Sequence, residues 1–209
     1  MIDTEIHSIR IRLLHHPIKT LGPGSRIGLW LQGCSLHCEG CLSQEMWPFE
    51  GGRVLPVKDL AARIKAACSD PALSLDGLTV SGGEPFDQPP SFLELLRELD
   101  SAEVRDVLVF SGYSVTDLLA RYPEIPVRIA ALVDGPFRLG QETEAAWKGS
   151  SNQTLTIFRP EYRERYTRWE KMKKGKLQLL RDDQGLFLAG IPLQKDASEL
   201  RKKILSWRW

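Results

Sequence analysis

Cysteine is scarce in this 209-residue chain: there are four, and three of them fall within eight residues of one another. A secreted disulfide scaffold spreads its cysteines along the chain. Scarcity combined with clustering argues against that class and points to metal binding in an intracellular protein. Long apolar runs are missing too. No stretch approaches the roughly 18–20 residues of a membrane span. The first residues, with Asp3, Glu5 and His7 among them, carry no apolar signal-peptide core. The expected compartment is the cytoplasm, with no membrane partner. An excess of one charge is also absent: 28 Lys+Arg against 27 Asp+Glu leave a net of +1, which favours neither nucleic acid nor an acidic substrate. Internal repeats and low-complexity tracts are lacking.

What is present is ordinary in amount, with 42% apolar and 26% charged residues, enough for one generous domain or one domain with a small appendage. The charge is unevenly placed. Residues 159–209 hold 14 Lys+Arg and 7 Asp+Glu, a net of +7, so the preceding body is net −6. Two units are expected, a body over 1–158 and a basic extension over 159–209.

Within the body, short apolar runs alternate with helical patterns. Ile27–Gln32, Leu78–Ser81, Val107–Ser111, Arg128–Val133 and Thr154–Phe158 read as strands buried on both faces of a parallel sheet. Val57–Cys68, Ser91–Leu99 and Val115–Tyr122 carry apolar residues at helical spacing, with Asp87 or Ser91 and Ser114 as N-caps. The alternation predicts an α/β fold of parallel strands joined by crossovers, with Glu5–Leu14 as a further edge strand. In the extension, Glu161–Lys174 reads as a charged helix, Lys176–Leu180 and Leu186–Ala189 as a hairpin turning over 181–185, and Lys195–Trp209 as an amphipathic helix.

The chemistry-bearing cluster is Cys34-Ser-Leu-His-Cys38-Glu-Gly-Cys41, directly after the first of the buried runs. Loops at the C-terminal ends of parallel strands are where ligands gather. Three thiolates on one loop can hold three corners of an iron–sulfur cube and leave the fourth iron open. The same residues with His37 also make a four-ligand set for tetrahedral zinc, so a zinc-stabilised interaction module is the alternative from this motif alone. Cys68 sits on the apolar side of a predicted helix and reads as a core residue.

The next strand ends in Ser81-Gly82-Gly83-Glu84-Pro85. Its glycines would let the backbone approach a ligand, and Glu84 offers an acceptor to a cationic amine. One βα unit separates this turn from the cysteine loop. In a parallel sheet the two must emerge on the same edge.

Cys-x3-Cys-x2-Cys followed by Gly-Gly-Glu-Pro resembles the radical S-adenosylmethionine (SAM) superfamily. Gly22-Pro-Gly24, Trp30-Leu-Gln-Gly-Cys34, Phe110-Ser-Gly-Tyr113, Val133-Asp-Gly-Pro-Phe137 and Gly149-Ser-Ser-Asn-Gln153 narrow the likeness to the activating proteins of anaerobic ribonucleotide reductase and their close relatives. The resemblance implies an incomplete (β/α) barrel of parallel strands, with one side open to a large protein substrate. It implies a [4Fe–4S] cluster on Cys34, Cys38 and Cys41, and SAM bound by Gly82, Gly83, Glu84 and Pro85, with Ser111, Asp134, Ser150 and Asn152 lining its site. It further implies reductive cleavage of SAM to a 5′-deoxyadenosyl radical, a glycyl radical enzyme as protein substrate, and a one-electron donor such as flavodoxin or ferredoxin. No catalytic acid or base beyond the cluster is implied. A radical SAM enzyme acting on another peptide or a small molecule is the alternative within the superfamily. The chain departs from the activators in lacking an Asn-Pro pair after Cys41 and in its long basic tail. That tail is expected either to dock an acidic partner surface or to cover the open end of the sheet.

Overall fold

In the computed structural model, which describes residues 7–100, 104–182 and 185–206, the cysteine loop is flanked by strands on both sides. Strands β1 (Ser8–Ile18) and β2 (Arg26–Leu31) precede it, and β3 (Arg53–Pro56) and helix α1 (Val57–Ser69) follow. Next come β4 (Gly77–Gly82), α2 (Pro89–Glu98), β5 (Val107–Phe110), α3 (Val115–Arg121), the short α4 (Ile125–Arg128), β6 (Ala131–Asp134) and β7 (Thr154–Ile157). The last stretch forms α5 (Arg163–Glu170), strands β8 (Gln178–Asp182) and β9 (Gly185–Ala189), and α6 (Gln194–Ser206). Residues 183 and 184 of the expected hairpin turn lie outside the described residues, as do Glu5, Trp207 and Trp209.

Seven strands form one sheet in the order β3-β1-β2-β4-β5-β6-β7. The pairs β2–β4, β4–β5 and β5–β6 are parallel, so the fold is mixed α/β with a parallel-rich centre. Three features depart from the sequence reading. Strand β7 pairs antiparallel with β6, because residues 135–153 return as a loop without a crossover helix. Strand β6 begins only at Ala131, since Ile125–Arg128 starts a helical turn with a proline at its head. Strand β3, which has no strong alternation, extends the sheet beyond β1.

The buried strands sort their side chains by the two-residue pleat. Ile27, Leu29 and Leu31 of β2, Leu78 and Val80 of β4, Val107 and Val109 of β5, and Leu132 of β6 share a core with Leu60 and Ile64 of α1, Phe92, Leu95 and Leu96 of α2, and Leu118 of α3. Ser114 caps α3 by accepting from the Asp117 N–H, as its sequence position suggested. The other face of the sheet is covered by the C-terminal extension together with Trp147 from the loop before β7. Trp30, Leu13, Ile18 and Leu21 pack with Leu180, Phe187 and Ala189 of the hairpin, and Leu108, Ala131 and Val133 pack with Trp147, Tyr166 and Trp169. Phe187 meets Trp30 edge-on at 4.9 Å. A Cβ at Gly28 would lie 2.5 Å from the Trp30 ring, so glycine there gives the indole room to lie along the sheet.

At the N-terminal edge of the parallel strands Arg26 is fully buried. Its guanidinium donates to the Asp106 carboxylate at 3.0 and 3.1 Å and to Thr79 Oγ1 at 2.8 Å. The Tyr166 hydroxyl, which burial keeps protonated, donates to Asp106 at 2.5 Å, and Arg165 reaches the same carboxylate at 3.1 Å. One carboxylate therefore fastens α5 of the extension to β2 and β5. Removing one member of a buried pair leaves the other charge uncompensated. Asp106→Ala should lower the unfolding free energy by about 3–5 kcal/mol in urea denaturation; an unchanged transition midpoint would remove this cluster from the interactions that hold the fold.

Candidate functional site

The parallel register of β2 and β4 pairs Leu31 with Gly82, so the cysteine loop and the Gly-Gly-Glu-Pro turn leave the same edge of the sheet side by side. The Gly83 N–H donates to the Leu31 carbonyl at 2.8 Å and the Glu84 N–H to the Gly33 carbonyl at 2.9 Å. A Cβ on Gly83 would sit 2.0 Å from the Gly33 oxygen, and one on Gly82 2.4 Å from the Leu31 nitrogen. The glycine pair is thus needed first for contact between the two backbones, where the sequence reading had assigned it to contact between backbone and ligand. The far side of the cysteine loop is pinned as well, with the Gly33 and Cys34 N–H groups donating to the Met46 and Trp47 carbonyls at 2.8 and 3.0 Å. Gly40 takes the left-handed conformation at φ +75° where the loop turns between Cys38 and Cys41.

These constraints leave a cavity of about 250 Å³. Cys34, Cys38 and Cys41 line it, together with Gly82, Gly83, Glu84 and Ser111. Of the residues expected from sequence, these seven are brought together. Pro85 is buried beside them and starts a short helical turn. Asp134, Ser150 and Asn152 are engaged in holding the wall. Asp134 accepts from the Val115 N–H at 2.9 Å and from the Thr154 hydroxyl. Ser150 accepts from the Arg138 N–H and donates to Asn152, whose amide donates to the Pro136 carbonyl at 2.9 Å. The cavity surface at that wall belongs to their neighbours Gly135, Phe137, Gly149 and Gln153. Gln153 accepts from the Gly149 N–H at 2.7 Å and donates to the Gly135 carbonyl at 2.9 Å. Both residues lie inside the motifs singled out in the sequence, but motif spacing does not tell which side chain faces inward.

A large apolar part of the surface was not anticipated. Trp30 and Phe110 contribute from the sheet, and Phe187, Leu188, Ile191 and Pro192 from the extension. The legible signal was the run Leu186-Phe-Leu-Ala-Gly-Ile-Pro192, too apolar for a solvated tail.

The donor set suits an iron–sulfur cluster. Thiolate is the preferred ligand, and a four-iron cluster spreads three sulfurs over three irons. Among the described residues, no three His, Cys, Asp or Glu side chains form a group that could hold a single ion. The single-ion alternative also needs His37, whose ring packs against Trp47 at 4.9 Å. Burial pushes the Cys34 thiol up to about 11 and raises Cys41 likewise, so loading a metal must displace protons from both. Cys68 lies on α1 against the helix-face core, in keeping with its sequence reading.

Glu84 is the most constrained acidic group of the site, at 2% exposure. Its carboxylate accepts from the Ser111 hydroxyl at 2.8 Å, the Phe86 N–H at 3.0 Å and the Gly112 N–H at 2.7 Å. It therefore ties the turn after β4 to the turn after β5. Burial outweighs these donors and moves the carboxyl from its ordinary 4.5 up to about 7.

The sequence model of one protein family, described as a 4Fe-4S single cluster domain, matches residues 20–156. The chain is 30% identical over 150 residues to the anaerobic ribonucleoside-triphosphate reductase-activating protein of Salmonella typhimurium, covering 69% of this chain and 97% of that protein. Proteins of the same name from Haemophilus influenzae (31% over 153 residues, 70% and 97% covered) and Enterobacteria phage T4 (28% over 141 residues, 64% and 85% covered) are also similar. Among the described residues no helix is long and apolar enough to cross a membrane.

The Glu84 environment makes stability depend on pH. Between about 4.5 and 7 the unfolded chain has released this proton while the folded chain keeps it, so stability falls as pH rises through that window. In the metal-free protein the Glu84 contribution is about 3 kcal/mol across the window. Glu84→Gln should flatten the urea-stability profile there; an unaltered slope would contradict the burial-driven shift.

Proposed function

The chain belongs to the 4Fe-4S single cluster domain family, and from that premise we propose that it is a radical SAM enzyme that installs a glycyl radical on a partner enzyme, as the activators of anaerobic ribonucleotide reductase do. The observation that carries the reading is the convergence of Cys34, Cys38 and Cys41 with Gly82, Gly83, Glu84 and Ser111 on one cavity. When bound, a [4Fe–4S] cluster supplies the electron for reductive cleavage of SAM to methionine and a 5′-deoxyadenosyl radical, which takes a hydrogen atom from the substrate.

The protein's own residues then have distinct tasks. Cys34, Cys38 and Cys41 would hold the cluster as thiolates, one fewer ligand than a four-iron cube has irons. Glu84 lines the cavity and offers its carboxylate to the cationic amine, and that charge favours the ionised form its burial opposes. Ser111 and the Gly112 N–H fix the orientation of that carboxylate. Asp134, Ser150 and Asn152 act from behind the surface, holding the strand ends and the loop that bound the site. Trp30, Phe110 and Phe187 keep water from the reacting end. Hydrogen-atom abstraction needs no general acid or base.

The similarity to anaerobic ribonucleoside-triphosphate reductase-activating proteins supports a reductase-type glycyl radical enzyme as partner, and a flavodoxin or ferredoxin would supply the electron. On this reading residues 1–158 are the incomplete (β/α) barrel and 159–209 its extension, in a cytoplasmic protein. Because the extension contributes one wall of the cavity, a radical SAM enzyme acting on a different, narrower peptide or small molecule is the second reading.

Anaerobic reconstitution with iron and sulfide, reduction, and addition of SAM should release 5′-deoxyadenosine. Serine at Cys34, Cys38 or Cys41 should each cut that product by at least about a hundredfold, whereas Cys68→Ser should leave it largely intact. Undiminished turnover in Cys38→Ser would be fatal to the reading. Adding a glycyl radical partner and recording its paramagnetic resonance separates the two substrates: a glycyl doublet supports the first, and product formation without one supports the second.

A further inference from the structure

The family match ends at residue 156, yet residues beyond it complete the cavity. The cavity has a polar side, made by the cysteine loop, Glu84 and Ser111, and an apolar side to which the extension contributes Phe187, Leu188, Ile191 and Pro192. Between the two sides runs the loop that joins β6 to β7, residues 135–153, which is long enough that a functional role is the usual reason for it.

One side chain of the extension grips that loop. Gln194, the first residue of α6, accepts from the Gly140 N–H through Oε1 at 2.9 Å. Its Nε2 donates to the carbonyls of Arg138, Gln141 and Gly149 at 3.2, 3.3 and 3.2 Å, sharing two hydrogens among three acceptors. Gly149 is the residue whose N–H is held by Gln153, and Gly149, Gln153 and Gln194 all line the cavity. Two glutamines thus fix the loop from opposite sides, Gln153 from within it and Gln194 from the tail. The extension meets the loop at a second place, where the Ala146 N–H donates to the Met172 carbonyl and the Lys174 N–H to the Glu144 carbonyl, but Ala146, Met172, Lys174 and Glu144 are not cavity residues.

We propose that Gln194 is a positioning residue that sets the loop 138–149 as a wall of the cofactor cavity, so that this chain binds the adenosyl part of its cofactor between its own C-terminal extension and the family domain. The ligand class rests on the radical SAM reading above; the positioning role does not. An amide at this place matches a wall made of exposed backbone carbonyls and one N–H, which need donors and an acceptor together.

The full-length protein tests this with Gln194→Ala and a control, Gln178→Ala. Gln178, which is not a cavity residue, bonds the Pro17 carbonyl and the Lys19 N–H, so its loss loosens the extension without removing a contact to the loop 135–153. Two measurements are made on each variant. Hydrogen exchange in the metal-free protein reads the amides of Gly149, Ser150 and Gln153, none of which is bonded to Gln194 itself. Equilibrium binding of S-adenosylhomocysteine to the reconstituted protein reads the cavity. Gln194→Ala should speed exchange at those three amides by about tenfold and weaken the probe by a similar factor, with Gln178→Ala within about twofold of wild type in both. Faster exchange confined to Gly140, or equal effects in the two variants, would overturn the positioning role. If the wild-type protein binds no S-adenosylhomocysteine, the cofactor reading fails, and exchange at Gly149, Ser150 and Gln153 alone decides for or against the role of Gln194.

Discussion

The parallel pairing of β2 with β4 is the constraint on which the rest of the site depends. It sets Leu31 opposite Gly82 and brings two backbones so close after those residues that no side chain fits at Gly83. The hydrogen bonds from Gly83 and Glu84 to Leu31 and Gly33 continue the ladder past the strand ends. As a result a flexible-looking cysteine loop starts from a fixed point. Three thiols on a mobile loop would lose much of their cluster affinity to ordering; here the loop is held at both ends before any metal arrives.

From that junction a chain of polar contacts spreads across the sheet edge. Asp87, just past the turn, accepts from the Ser35 N–H at 2.6 Å and from the Tyr113 hydroxyl at 2.7 Å, so the residue next to Cys34 is tied to the turn after β5. Glu84 makes the parallel link to Ser111 and Gly112. Asp134 carries the connection on to α3 and β7. Each carboxylate joins two neighbouring strand ends, so the acidic residues of the edge serve first to align the turns. Only Glu84 among them also faces the cavity.

The sequence was most legible where residue type and spacing alone carry the chemistry. The three cysteines, the Gly-Gly-Glu-Pro turn and their common edge followed from a parallel βα unit, because such a unit has only one place to put both. Legibility failed where direction or depth depends on tertiary contact. Strand β7 has the composition of its neighbours, and only the missing crossover helix between 135 and 153 reverses it. Asp134, Ser150 and Asn152 sit in the right motifs, but their short polar side chains satisfy backbone groups, and Gly149 and Gln153 form the surface. The extension was read from its charge, yet its Leu180, Phe187 and Ala189 pack on the second face of the sheet.

The central claim is that three sulfur ligands leave one iron of a cube exposed to the cofactor. Mössbauer spectroscopy of the anaerobically reconstituted protein, recorded with and without SAM, tests it most directly. The account predicts that one of the four iron sites shifts on SAM addition while the other three stay unchanged. A cluster whose four irons all ignore SAM, or a protein that takes up no iron, would contradict it.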